Sequence, residues 1–348
     1  MFWPFKQIEN LIMDNKDLIQ KNENDDGIDR AGFIKCMAWA GTGVLWLMSG
    51  GSLKAFGMSQ LIDKHTGRLK NNLSIPYGDF SFVQISDSHI GFSKPANPDV
   101  TGTLRATIAK INAMARLPSF VLHTGDLTHL AQDDEFDTLD QELKSVKTEK
   151  IFYVPGEHDV LNNNNKAYLQ RFGKDTRGDG WYSFDYNGVH FIGLVNVVNT
   201  AEGGLGVLGN DQLDWLKKDL SALQDSTPIV VFAHIPLWTI YPEWGWGTRD
   251  SAIALSYLKR FGSVSVLNGH IHQTMLKVEG NITFHSATST AFPQPAPGAA
   301  PAAGPMKVPA EKLRGLLGLT SVEYVEHNHT LAITDMPLEG DSNKAQTK

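Results

Sequence analysis

A chain of 348 residues is long enough for one large domain or two ordinary ones, and 41% hydrophobic with 20% charged residues places it among globular proteins. A formal net charge of -7 argues against a general nucleic-acid binder, which would carry a basic footprint. The single cysteine, Cys36, excludes an intrachain disulfide and any cysteine-based zinc site. A metal could then be held only by His, Asp, Glu, Asn or water, a donor set suited to Mn, Fe, Zn, Mg or Co.

The N-terminal 51 residues read as a segment outside the main fold. From Cys36 to Gly51 the chain is uncharged and mostly apolar, bounded by Lys35 and Lys54. That is short for a membrane span and fits the apolar region of a signal peptide. The preceding Asp29-Arg30-Ala31-Gly32-Phe33-Ile34-Lys35 resembles a twin-arginine export signal, with Ala31 where the second arginine would stand. No small-x-small cleavage site is clear, so the segment could also stay as a membrane tether. The expected location is periplasmic or otherwise exported, with the cytoplasm as the alternative. Residues 52–79 show little periodicity and read as a linker.

From Phe80 the pattern changes. A short apolar run over 82–86 predicts a strand that ends in Asp87-Ser88-His89. Leu104, Ile108, Ile111 and Met114 predict a helix over about 101–115. A second strand at 120–122 ends in Gly125-Asp126, and a helix follows over about 132–146. A third strand, 151–154, ends in Gly156-Glu157-His158-Asp159. Strand–helix–strand alternation predicts a parallel sheet. Residues 181–185 and 190–195 flank Tyr186-Asn187-Gly188, a hairpin signal. A helix at 209–222 leads to a strand at 229–232 that ends at His234. A helix near 250–260 leads to a strand at 263–267, closed by Asn268-Gly269-His270-Ile271-His272. Strands near 274–279 and 281–286 turn at Glu279-Gly280-Asn281, and two more lie near 319–325 and 330–334. The Pro/Ala/Gly tract 293–309 reads as a loop. The domain is expected to span 80–339, with a polar tail at 340–348.

Five polar clusters thus lie just past the ends of predicted strands. Ligand sites of open α/β sheets lie outside the carboxyl ends of their strands, so one rigid sheet can bring all five together. In order they are Asp-x-His, Gly-Asp, Gly-Glu-His-Asp, a lone His and Gly-His-x-His. This ordered set, over residues 81 to about 287, resembles the calcineurin-like metallophosphoesterases. It looks most similar to the bacterial branch of cyclic-nucleotide and glycerophosphodiester phosphodiesterases.

The resemblance implies a four-layer α-β-β-α sandwich of two mixed sheets. It implies two divalent or trivalent metal ions (Mn, Fe, Zn or Co) that activate a bridging hydroxide to attack phosphorus. Asp126 would bridge them. Asp87, His89 and His272 would complete one site, and Glu157, His234 and His270 the other. His158 corresponds to the family's catalytic histidine, and Asp159 is expected to orient or charge it. Glu157 departs from the family, which usually has Asn there: it keeps an oxygen ligand, adds a negative charge and loses an amide donor. His129, Trp238 and Asn268 are candidate substrate contacts, whereas His190 and His285 read as strand residues. The expected reaction is hydrolysis of a small-molecule phosphodiester. Alternatives are a phosphomonoesterase or lipid-headgroup phosphohydrolase, and a non-catalytic metal-binding scaffold of the same fold.

Overall fold

The computed structural model describes residues 44–49, 52–57, 80–161, 165–325 and 328–339. The chain divides into two compact units, Met1–Pro76 and Tyr77–Lys348. In the first, β1 (Val44–Ser49) and β2 (Ser52–Gly57) pair antiparallel, Val44 opposite Gly57 and Ser49 opposite Ser52. A strand therefore stands where the linker was expected to begin. The twin-arginine-like motif, the rest of that linker and the polar tail lie outside the described residues. Among the described residues no helix is long and apolar enough to cross a membrane.

The second unit is built on two sheets. In one, β3 (Phe80–Ile85), β4 (Phe120–His123) and β5 (Lys150–Tyr153) run parallel. β14 (Gly318–Val325) pairs antiparallel with β3, and β15 (Asn328–Pro337) with β14. In the other, the order is β12 (Met275–Glu279), β13 (Ile282–Ser286), β11 (Val264–Asn268), β10 (Ile229–Ala233), β7 (Val189–Gly193), β6 (Tyr182–Tyr186). Its four inner strands are parallel and both edge strands antiparallel. A short pair, β8 (Asn199–Thr200) and β9 (Gly206–Val207), lies outside both sheets.

β4, β10 and β11 are buried along their whole length, which is why they read as continuous apolar runs rather than alternating ones. Alternation survives as a choice between two cores. Phe80, Phe82, Phe120 and Leu122 meet Phe191, Val230 and Phe232 between the sheets. Phe82 stacks on Phe120 at 5.0 Å and meets Phe191 edge-on at 5.5 Å. Val83, Ile85 and Val121 face the other way. They pack on Leu104, Ile108 and Ile111 of α1 (Val100–Asn112) and on Phe136 and Leu139 of α2 (Asp133–Leu143). Ile192, Val231 and Val266 pack likewise on Leu213, Leu216 and Leu220 of α4 (Asn210–Ser221) and on Ala254 and Leu258 of α5 (Ser251–Leu258). The result is the expected α-β-β-α sandwich.

Two helices were not foreseen, α3 (Lys166–Phe172) and α6 (Ala310–Leu316). At seven residues each they are too short to show a clear 3.6-residue period. The tract 293–309 contains no helix or strand, as its composition indicated.

Candidate metal centre

All five clusters meet beyond the carboxyl ends of the parallel strands of both sheets. Asp87 and His89 follow β3, Asp126 follows β4, and Glu157 and His158 follow β5 on a 3-10 turn, Glu157–Asp159. His234 follows β10, and His270 and His272 follow β11. The loops are zipped together by backbone hydrogen bonds. Asp87 N donates to Gly125 O (3.0 Å), His89 N to Asp126 O (2.9 Å) and Gly269 N to His234 O (3.1 Å).

The backbone is unusual where the ligand candidates sit. Asp87, His89, Asp126, His270 and His272 all have positive φ, between 41° and 70°. Left-handed backbone is costly for non-glycine residues and persists where surrounding structure enforces it, commonly at functional sites. Gly125 shares the conformation at φ 95°, and a Cβ there would run into the His234 ring and the Gly156 backbone. Gly156 is needed for a different reason, since a Cβ there would collide with the Asp126 carboxylate.

Three sets of donor atoms converge. Asp87, His89 and His272 form one, Glu157, His234 and His270 a second, and Asp87, Asp126 and His234 a third that links them. Asp126 Oδ2 lies 3.4 Å from His89 Nε2 and 3.4 Å from His234 Nε2. Asp87 Oδ1 is 3.2 Å from His272 Nε2 and 4.0 Å from His234 Nε2. Glu157 spans the other side, 2.8 Å from His234 Nε2 and 2.9 Å from His270 Nδ1.

The tautomers follow from partners on the opposite ring edge. His234 Nδ1 donates to Thr124 O (2.7 Å), and His272 Nδ1 to Phe292 O (2.5 Å). Each imidazole therefore aims an Nε2 lone pair at the cluster, as a metal ligand requires. His234 Nε2, both ring nitrogens of His270 and Glu157 Oε2 are buried without a hydrogen-bond partner; the short His–Glu approaches lack hydrogen-bond geometry. Buried polar atoms are rarely left so, and oxygen and imidazole donors with orphaned lone pairs fit divalent cations.

The carboxylates and imidazoles also hold one another's charges: burial opposes protonation of His234, but Asp126 and Glu157 raise its pKa well above the ordinary value. Burial opposes ionisation of Asp87, but the His272 and His234 imidazoles outweigh it and hold the carboxyl below its usual range. Glu157 behaves alike, against burial, through His270 and His234. Burial pushes the His89 imidazole well down, helped by His158 and His272, which keeps it neutral and able to ligate.

His158 stands at the edge of this cluster. Its backbone N–H donates to Asp126 Oδ1 (3.0 Å) and its Nδ1 to His129 O (2.7 Å), leaving Nε2 for another group. Burial would lower its pKa, but Asp126, Glu157 and the His129 carbonyl raise it above the ordinary value.

Asp159 adds to the raised pKa of His158, after Asp126, Glu157 and the His129 carbonyl, but does not orient its ring. Its carboxylate is fully buried and accepts from Gly156 N (2.9 Å), Leu127 N (3.0 Å), and Thr128 N and Oγ1 (2.8 Å each). It ties the Asp126 loop to the Glu157 turn, and the His158 ring is held instead by the His129 carbonyl. Burial and Asp126 push the Asp159 carboxyl up to about 7 despite these donors.

Two expected substrate contacts are engaged in packing and hydrogen bonds of their own. Trp238 packs on the outer, helix-facing cluster of the second sheet, its ring 5.1 Å from Phe284. It follows His234 in the chain but faces the opposite side. Asn268 is buried; its Nδ2 donates to Ile235 O (3.3 Å), its backbone carbonyl accepts from Gln84 Nε2 (2.9 Å) across the two sheets, and its Oδ1 has no hydrogen-bond partner. His129, by contrast, stacks on His158 at 4.8 Å and reaches His89.

Phe292 was not foreseen. Its carbonyl holds His272, and its ring lies 4.7 Å from both His89 and His272. It comes 20 residues after His272, so no local motif could have indicated it. Thr124 was equally silent, although it adjoins the Gly-Asp cluster.

A model of the calcineurin-like phosphoesterase family matches residues 80–274. The chain belongs to that family. It is a metallophosphoesterase, a hydrolase of phosphoric esters. A protein of Rhodococcus erythropolis named a probable cyclic nucleotide phosphodiesterase is 24% identical over 222 residues, covering 61% of this chain and 71% of that one. One of Arcobacter nitrofigilis, named a probable glycerophosphodiester phosphodiesterase, is 24% identical over 158 residues, 44% of this chain and 57% of that one. Among solved structures, a dimetal phosphatase from Danio rerio aligns with a TM-score of 0.57 at 15% identity, over 75% of this chain and 96% of that one. A purple acid phosphatase from yellow lupin aligns with a TM-score of 0.53 at 13% identity, over 82% of this chain and 57% of that one. At such identities the two structures speak for the fold alone.

Proposed function

We propose that this phosphoesterase is a phosphodiesterase with a dinuclear metal centre. One observation carries the dinuclear reading: a single Asp126 oxygen sits midway between two imidazoles, at 3.4 Å from each, and each imidazole belongs to a different ligand triad. Asp87, His89 and His272 would hold one ion, and Glu157, His234 and His270 the other, with Asp126 shared. Such a pair supplies, when bound, a water acidified to a nucleophile near neutral pH and charge stabilisation of the attacking and leaving oxygens.

The chain's own groups account for the rest. The three carboxylates offset repulsion between cations held close together. His158 is fixed through Nδ1, so its Nε2 carries the proton that a leaving oxygen needs. Asp126 and Glu157 favour that charged imidazole.

Glu157 supports a diester over a monoester. Two divalent ions carry four positive charges, and Asp87, Asp126 and Glu157 cancel three. An Asn at 157 would leave two positive charges rather than one. A diester carries one negative charge and a monoester up to two, so the weaker field suits the diester. The two relatives whose names refer to phosphodiesterases support the same substrate class.

Elemental analysis of purified enzyme, with rates on bis(p-nitrophenyl) phosphate and p-nitrophenyl phosphate, tests this reading. Two metal equivalents, faster diester turnover and loss of activity with chelator are expected. Chelator-resistant turnover would sink the two-metal mechanism, and two metals without turnover on any ester would favour a binding scaffold.

A further inference from the structure

His129 stands in the Gly-Asp-Leu-Thr-His run that supplies Asp126. It is half-buried, and its side chain makes three aromatic contacts. It stacks on His158 (4.8 Å, 17°), meets Phe92 edge-on at 5.1 Å and meets His89 at 5.5 Å. The polar contact is the informative one: His129 Nδ1 lies 3.4 Å from His89 Nδ1.

Two facing imidazole nitrogens that share no cation are compatible only if one bears a hydrogen and the other a lone pair. The choice is forced by the far edge of His89. Its Nε2 points into the cluster, 3.4 Å from Asp126 Oδ2 and 3.3 Å from His272 Nε2. To ligate a cation that nitrogen must offer a lone pair, so His89 carries its hydrogen on Nδ1. His129 Nδ1 is then the acceptor, and the hydrogen of His129 sits on its Nε2. His234 and His272 solve the same problem with backbone carbonyls, Thr124 O and Phe292 O. His89 solves it with a side chain.

We propose that His129 is a positioning residue that fixes the tautomer and ring orientation of His89, and so sets the affinity of the Asp87–His89–His272 site alone. This rests on the dinuclear reading above. The chemistry also explains the choice of an imidazole. A carboxylate at 129 would accept the same hydrogen but add a fourth negative charge beside Asp87, Asp126 and Glu157. A neutral imidazole accepts it without further weakening the field that holds an anionic ester.

Two variants separate acceptor from packing. His129→Phe keeps the ring stacked on His158 and against Phe92 but removes the acceptor. His129→Asn loses the ring but places Oδ1 near the position of Nδ1. The full-length enzyme, stripped by chelator, is titrated with Zn²⁺ against a competing chelator, and thermal midpoints of the stripped proteins are compared. Wild type is expected to take two equivalents. His129→Phe should weaken one binding step by about 10–100-fold, the usual cost of losing an outer partner of a ligand histidine, and leave the other step within about threefold. His129→Asn should restore the weakened step to within about threefold. In ¹⁵N-imidazole spectra of the zinc form, the Nδ1–H of His89 should be protected from solvent exchange in wild type and exchange-broadened in His129→Phe.

Unchanged binding in His129→Phe overturns the proposal. So does a fall of both steps together, a failure of Asn to rescue, or a third equivalent in wild type that either variant abolishes. Wild type that binds fewer than two equivalents overturns the dinuclear reading first and this proposal with it. The metal titration and the spectra stand independent of turnover.

Discussion

Histidines occur in two regions of the sandwich, and the two groups are built differently. At the carboxyl ends of the strands, His158, His234 and His272 give Nδ1 to backbone carbonyls and leave Nε2 free. On the sheet flanks the partners are carboxylates. His190 in β7 lies between Asp185 (2.7 Å) and Asp219 (2.9 Å), and His285 in β13 bonds Asp335 (3.0 Å). A carbonyl selects which nitrogen carries the hydrogen and turns the other toward the cluster, whereas the two carboxylates about His190 occupy both of its ring nitrogens. A nitrogen with an available lone pair can ligate a cation, and a ring bonded at both nitrogens cannot. Residue type therefore does not separate these two groups of histidines; the partners of the ring nitrogens do.

The sharpest break of this contrast is at the shared carboxylate. Asp126→Asn should lose at least one metal equivalent and lower kcat/KM by more than about 100-fold, beyond what loss of an outer partner costs. Metal content and kinetics on bis(p-nitrophenyl) phosphate check it; retained stoichiometry with normal turnover would remove Asp126 as the bridge. Next is His158→Gln, which should keep both metals and lower kcat by about 10²–10⁴-fold, the range for losing a proton donor. Metal loss in that variant would make His158 a ligand instead.

A smaller change is expected at Glu157. Glu157→Asn should shift the monoester-to-diester ratio of kcat/KM by about tenfold toward the monoester, equivalent to ~1.4 kcal/mol. An unchanged ratio would show that the charge at 157 does not select substrate.

The smallest effect lies on the flank. Burial lowers the His190 pKa, but Asp219 and Asp185 outweigh it and hold it above the ordinary value. A raised folded-state value means that the ion pairs stabilise fully below the unfolded value of about 6.5, and that this contribution is lost as pH rises through the folded-state value. His190→Gln should lower the unfolding free energy, measured by denaturant titration, more at pH 5 than at pH 9, by on the order of 1 kcal/mol or less because Asp185 is 76% exposed. Its metal content should not change, unlike that of Asp126→Asn. An equal loss at both pH values would show that His190 acts by packing.

Much of the site was legible because each cluster is local and follows an apolar run. A strand that ends in Asp87-Ser88-His89 announces both its own end and its donors. Adjacency misled where the turn decided direction: Asp159 follows His158, yet on the 3-10 turn its carboxylate reaches Leu127 and Thr128. Trp238 misled likewise, being near His234 in the chain but across the sheet from it in space.

The sequence by itself determined the order of strands and helices, the donor set and the absence of cysteine chemistry, because these depend on residue type and short spacing. Only the tertiary structure decided which nitrogen of each histidine faces the cluster. That depends on Thr124, His129 and Phe292, which lie 110, 40 and 20 residues from the rings they hold. It also decided the left-handed backbone at five non-glycine ligands, a conformation that local preference opposes and only surrounding contacts sustain.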